Sequence, residues 1–336
     1  MNASELAIDP PFFPERFLTG FQPTGTMHLG NWMGALQPCL RFQDLHPGEC
    51  FILIADLHLL TSRPDRSSIQ ASISNTARSF LALGIEPNKC VIYLQSEVPQ
   101  TCELMWALSC YVGSSLLHRG HAYQSALRQG QAPSVGLLLY PLLQGADILS
   151  LRATQVAAGP DQRQHIELAR DVARRMNALS ELAVFPEPTL AIPNVRAVVG
   201  TDGKRRMSLA NGNYISIFED ELVVSDQINS IVSLPLPQGT PVQPDAVPAF
   251  GLLQLLAPAD ISEDARTGLA AGKLSMNDLK NTLTKNFLTY FAEARERYVD
   301  LGRETVLIKD IIAQGSIRAR DEAADAILAV RDLIGY

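Results

Sequence analysis

The chain has 336 residues, of which 46% are hydrophobic and 19% charged, with a formal net charge of −7. That composition describes a globular protein with room for a large core, one big domain plus a smaller one, and it excludes disordered and fibrous classes. The acidic balance excludes a globally basic polyanion binder, no apolar stretch is long enough to span a bilayer, and the N-terminus lacks a basic, apolar signal-peptide pattern.

Residues 1–16 read as a short exposed arm. The run Phe17–Phe21 is apolar and breaks into a small-residue turn, Gln22 to Thr26, before His28 and an amphipathic helix, Asn31–Gln43, that contains Pro38. "CFILIAD" (50–56) and "CVIYLQ" (90–95) are continuous apolar runs rich in β-branched and aromatic residues, the pattern of strands buried on both faces. Helical spacing over Ser67–Leu83, ending on Gly84, lies between them. The resulting βαβ unit predicts an α/β fold, with a doubly wound parallel sheet and helices on both of its faces. A further strand is expected at Gln155–Ala158 and a helix at Asp161–Asn177. The proline-rich segment 234–248 reads as a loop or hinge. From about residue 246 the pattern is helical only, with Gly272, Gly302 and Gly315 as breaks. Five cysteines, Cys39, Cys50, Cys90, Cys102 and Cys110, have no C-x-x-C spacing. They read as reduced core residues of a cytoplasmic protein and argue against a metal site.

Costly polar residues gather where the strands end. Gln22 follows the first strand, Asp56 and His58 the second, Gln95 the third and Gln162 a later one. Ligands of open α/β sheets bind outside the carboxyl ends of the strands, so four segments point at one rim. In "LLLYPLLQGADILSL" (137–151), Tyr140, Gln144 and Asp147 share one face if the run is helical. A buried carboxylate needs a partner, either a nearby base such as Arg152 or a ligand N–H. Gly30 and Asn31 open a helix whose free N–H groups can hold an anion, with His28 as a further donor. A basic loop, "VGTDGKRRMSLANGN" (199–213), can close on a polyphosphate.

Together these segments resemble the bacterial tryptophanyl-tRNA synthetases, a family of class I aminoacyl-tRNA synthetases, over essentially the full length. His28-Leu29-Gly30-Asn31 is similar to the family's HIGH-type motif, and Arg206-Met207-Ser208-Leu209-Ala210 matches its KMSKS-type loop. The resemblance implies a Rossmann-like catalytic domain over 17–215 and a helical tRNA- and anticodon-binding domain over 216–336. It implies activation of L-tryptophan by ATP, with Mg²⁺, and transfer to tRNA(Trp) by a cytoplasmic homodimer. By matched position, Gln22, Thr24, Gly30, Asn31, Asp161, Met207 and Ser208 would serve ATP. His58, Tyr140, Gln144, Asp147 and Gln162 would hold tryptophan. His28, Asn31, Arg206 and Ser208 would carry the catalysis.

The chain departs from the family at the loop. Arg206 and Leu209 stand where the family has lysines, and Ala210 where it has serine. Pro160 precedes Asp161-Gln162, and Ser233–Pro235 replaces a Thr-Asp segment. A second reading therefore stays open, in which a paralogue binds tryptophan or ATP, charges tRNA poorly, and acts as a sensor or partner-binding protein. Candidate phosphate contacts on the helical part are Lys280, Lys285, Arg295, Arg297 and Arg303. The apolar run Glu103–Leu117 offers either a core helix or an isologous dimer patch.

Overall fold

A computed structural model of the chain describes residues 13–159, 162–191, 198–233 and 239–336. Five parallel strands form one sheet: β1 (Phe17–Phe21), β2 (Cys50–Ile54), β3 (Cys90–Leu94), β4 (Gln155–Ala157) and β5 (Thr189–Ala191), in the order β3-β2-β1-β4-β5. The register runs Phe17↔Cys50↔Cys90 on one side of β1 and Phe17↔Gln155↔Thr189 on the other. The order reverses at β1, so the crevice between β1 and β4 is the topological switch point. β5 was not apparent from sequence, because three residues between prolines carry too little pattern to stand out.

Alternate residues of the strands enter two different cores. Phe17, Phe21, Ile52, Ile54 and Ile92 pack with Met33, Ile73 and Phe80 on one face. Leu18, Phe51, Leu53, Val91 and Tyr93 pack with Ile148, Ile166 and Ala323 on the other. Each fully buried Phe, Leu or Ile removed from water contributes about 1.5–3 kcal/mol. Burial on both faces explains why these strands read as unbroken apolar runs. The first core continues without a gap into the C-terminal helices through Phe250, Leu279, Leu283 and Phe287.

Several expectations change here. The arm's last residue, Arg16, is buried. Its guanidinium pairs with Glu49 at 2.7 Å and with Glu322 at 2.7 Å, and it also donates to the Leu151 carbonyl. Residues 1–12 lie outside the described residues. Of the cysteines, Cys39, Cys50 and Cys90 are core residues, but Cys102 and Cys110 are exposed. The helix expected at Asn31–Gln43 is built in three pieces: an α-turn at Leu29–Asn31, a π-helical segment at Trp32–Leu36 and an α-helix at Gln37–Leu45. The π turn widens the helix just ahead of Pro38, which has no N–H and would crowd the preceding turn of a regular α-helix.

Gly315 does not end a helix. It lies inside the 30-residue helix Thr305–Ile334, which packs directly on β3. A Cβ at Gly315 would fall on the Ile92 carbonyl, so only glycine allows this approach. Beside it, the fully buried Ser316 accepts the Leu94 N–H at 3.1 Å. β3 is an edge strand, and this helix covers its otherwise unpaired edge.

The basic candidates on the helical part also divide. Lys280 is buried, and its ammonium donates to the carbonyls of Asn229 and Ile231 at 2.8 and 2.7 Å. Arg295 donates to the carbonyls of Ile217 and Glu219, and Arg297 to that of Ala82. These three cations satisfy chain carbonyls, two of them at helix ends, where cations are favoured, and Arg297 stays on the surface, where it also pairs with Glu293. Lys285 and Arg303 remain exposed. Among the described residues, no helix is long and apolar enough to cross a membrane.

Candidate active site

A cavity of about 440 Å³ opens at the switch point, lined by β1 and its exit loop from Leu18 to Gln22 and by Val156–Gly159 after β4. Its size suits one small ligand. The helix Val135–Ser150 supplies one wall. Tyr140, Gln144 and Asp147 all face the cavity, as the helical spacing requires.

Asp147 is 2% exposed. Its partner is not Arg152, whose guanidinium donates instead to the Asp325 carbonyl. Asp147 Oδ2 receives His58 Nε2 at 2.9 Å, and Gln95 Nε2 lies 2.9 Å from Oδ1 and 2.8 Å from Oδ2. The carboxylate is thus held by groups from the ends of β2 and β3, where polar residues follow the strands.

A second polar hub sits beside it. His165 Nδ1 lies 2.9 Å from the side-chain oxygens of both Gln144 and Gln162, and its Nε2 lies 3.1 Å from the Tyr140 hydroxyl. Amide oxygens only accept, so Nδ1 carries the proton and Nε2 accepts from Tyr140 in the neutral ring. The two amides therefore turn their oxygens toward His165. Asp161, expected next to Gln162, lies outside the described residues.

The opposite end is formed by Gly30, Asn31 and Arg206. His28 caps the first helical turn. Its Nδ1 accepts the Asn31 N–H at 3.3 Å, and Asn31 Oδ1 accepts the His28 N–H at 3.2 Å. Leu29 N–H is also used, by the Ile215 carbonyl. The helix mouth is therefore a narrower set of donors than the sequence suggested, because His28 Nδ1 and the Ile215 carbonyl take the Asn31 and Leu29 N–H groups. What His28 offers is its Nε2–H. Burial, and secondarily the Arg206 charge, push its pKa down to about 4, so the ring is neutral at pH 7. A Cβ at Gly30 would meet the His28 ring at 3.1 Å and Met207 Cβ at 3.2 Å, so glycine lets all three segments close together.

The family model described as tRNA synthetases class I (W and Y) matches residues 14–241. The chain belongs to this family. The tryptophan–tRNA ligase of Fusobacterium nucleatum subsp. nucleatum is 35% identical over 323 residues, covering 96% of this chain and 98% of that relative. The ligase of Neisseria meningitidis serogroup A is 35% identical over 332 residues, covering 96% and 98%. The crystal structure of tryptophanyl-tRNA synthetase from Campylobacter jejuni, complexed with ADP and tryptophan, superposes with a TM-score of 0.85 at 34% identity, covering 96% of this chain and all of that one.

In this class I synthetase chain the signature loop docks against the first helical turn. Val199 and Arg206 form an antiparallel bridge, and the Met207 N–H reaches the Val198 carbonyl. Met207 is buried in the core under Gly30 and lines neither cavity. Ser208 also lines neither. Its N–H donates to Asn213 Oδ1 at 2.9 Å, and its hydroxyl accepts the Asn211 N–H. Instead Leu209 and Ala210 line a neighbouring cavity of about 520 Å³, together with Gln22, Thr24, His28 and Asn31. Gln22 and Asn31 border both spaces.

Neither Arg205 nor Lys204 replaces the family's second lysine. Arg205 is bound to Asp202 at 2.8 Å, and Lys204 is exposed without lining either cavity. Sequence reasoning assigned no role to Gln95, His165 or Asn213. Gln95 was visible as a polar strand-end residue, and His165 as a member of the Gln162 segment. Asn213, which also donates to the Arg206 carbonyl at 3.2 Å, gave no signal beyond its place after Gly212. Among the described residues, no three His, Cys, Asp or Glu side chains converge to hold a metal ion.

Proposed function

We propose that the chain is an ATP-dependent tryptophan–tRNA ligase. The tryptophan carboxylate attacks the α-phosphate of ATP, giving tryptophanyl-adenylate and pyrophosphate, and the tryptophanyl group then passes to the 3′ end of tRNA(Trp). The observation that carries this reading is Asp147, a buried acceptor at one end of a cavity whose other end meets Gly30, Asn31 and Arg206, with His28 lining the adjoining cavity. A site built around such an acceptor rejects rings without an N–H donor. In this reading Tyr140, Gln144 and Gln162, with His58 as a wall, hold the amino acid, and the neighbouring Asp161 serves the nucleotide. Gln22, Thr24, Gly30 and Asn31 hold ATP, and Mg²⁺ enters with it as part of the substrate. Met207 and Ser208 shape the loop from behind. Catalysis is positioning plus electrostatics: two substrates are held end to end, and Arg206 stabilises charge developing on the phosphates. Tryptophan is expected to drive ATP–pyrophosphate exchange and tyrosine is not. Equal exchange with the two amino acids would sink the assignment.

The Leu209 side chain is the weak point of this site. It lies at the cavity that continues from the tryptophan pocket past His28, where the departing pyrophosphate belongs, and it offers no donor. Losing one such donor costs about 10²–10³ in rate. Leu209→Lys is expected to raise the adenylation rate about 10²-fold, and single-turnover measurements should show tryptophan affinity nearly unchanged. A change in affinity with no gain in rate would refute the catalytic role. If neither form is active while tryptophan still binds, the second reading, a tryptophan-binding paralogue, takes over, and Leu209 is the residue that favours it.

The helical part, residues 216–336, is proposed to contact tRNA, with Lys285, Arg297 and Arg303 among the exposed cations, and the setting is the cytoplasm. We also infer a homodimer. In the helix Gln100–Ser109, Leu104 and Leu108 face the core while Trp106 is 71% exposed on the other side. Light scattering is expected to give twice the chain mass, and Trp106→Glu to shift it to one. A wild-type monomer at micromolar concentration would count against the dimer.

A further inference from the structure

We propose that Gln95 is a positioning residue for substrate selection: it sets the direction of the Asp147 carboxylate and thereby the preference for a ligand ring bearing an N–H. The inference rests on the tryptophan reading of the cavity and goes beyond it. Gln95 opens the short turn Gln95–Glu97 after β3 and is 1% exposed. Its two ends meet different partners. The side-chain oxygen accepts the His58 main-chain N–H at 3.3 Å, and Nε2 spans both Asp147 oxygens. This orientation is the one the partners permit, because a main-chain N–H only donates and a carboxylate only accepts.

The acceptor count then singles out one direction. Each carboxylate oxygen takes about two donors. Oδ2 has two, from His58 Nε2 and Gln95 Nε2, while Oδ1 has one, from Gln95. A ligand N–H therefore completes the set at Oδ1. Without Gln95 the carboxylate keeps only His58, on one oxygen, and is free to rotate about its own bond. His58 alone does not distinguish the two oxygens as ligand acceptors.

The position of Gln95 is itself over-determined. The preceding residue, Leu94, donates its N–H to Ser316 in the helix that covers the β3 edge. The floor of the pocket is thus tied to the C-terminal helix, one residue away, by the Leu94 N–H that the Ser316 hydroxyl accepts.

The test compares binding of L-tryptophan with that of 3-benzothienyl-L-alanine, in which sulfur replaces the indole N–H, by titration calorimetry on the full chain. Wild type is expected to favour tryptophan by about 10²-fold or more. Gln95→Met keeps the length and removes both donors. It should weaken tryptophan about 30-fold and the analogue less than about threefold, so that the preference collapses. Gln95→Leu, which likewise removes the amide and adds no charge, should do the same and serves if the Met variant does not fold. An unchanged preference, or equal weakening of the two ligands, overturns the role of Gln95. So does failure of both variants to fold, which assigns the residue to the scaffold. A wild type that binds neither ligand, or both alike, overturns the tryptophan reading and this proposal with it.

Discussion

Asp147→Asn is expected to lower kcat/KM for tryptophan about 10³-fold in the exchange reaction, while the KM for ATP changes little. The substitution keeps shape and volume, so packing is not the cause. The difference is chemical. Both carboxylate oxygens face donors, from His58 and Gln95. An asparagine can place its oxygen against only one set, and its amide nitrogen must then point at Gln95 Nε2 and at the incoming ring N–H. Donor meets donor at the position where the ligand is recognised. Asp147→Ala would be worse for the fold, because two buried donors lose their acceptor at about 1–3 kcal/mol each. The Asn variant is therefore the cleaner measurement, and its melting temperature should stay within a few degrees of wild type. A loss below tenfold would show that Asp147 does not select the substrate.

Gly315→Ala is expected to destabilise the chain by about 3 kcal/mol or more, and Gly315→Val to prevent folding altogether. The added carbon would sit on the Ile92 carbonyl, which is backbone in a paired strand and cannot rotate away. The helix Thr305–Ile334 would have to lift from β3, exposing the edge and breaking the Ser316 contact to Leu94. Urea unfolding measures the loss directly. Gly251→Ala is the control: it lies in the helix Pro248–Leu256 with open space around its Cβ position, and alanine there should be neutral or stabilising by up to about 1 kcal/mol. Because Leu94 precedes Gln95, any folded fraction of the Gly315 variant should also bind tryptophan more weakly. Equal unfolding midpoints for Gly315→Ala and wild type would show that the helix does not depend on this close approach.

Much of this architecture was legible from the residues in order. Strands buried on both faces must be apolar throughout, so β1, β2 and β3 could be read directly, and their loops marked the rim where Gln22, His58 and Gln95 stand. Helical spacing put Tyr140, Gln144 and Asp147 on one wall. These features depend on neighbours a few residues away, and local sterics and burial are written in local pattern. What tertiary structure alone decided was pairing over long separations. Asp147 meets His58 across 89 positions and Gln95 across 52, and no local pattern marks them as partners in place of Arg152. Lys280 and Arg295 looked like surface charge until the fold brought the distant carbonyls of Asn229, Ile231, Ile217 and Glu219 to them. Met207 looked like a loop residue until the loop docked on Gly30. Gly315 looked like a helix end until β3 was laid against it. In each case the residue type states a need, for an acceptor, a carbonyl, a core or space. Chain topology decides which distant group meets that need.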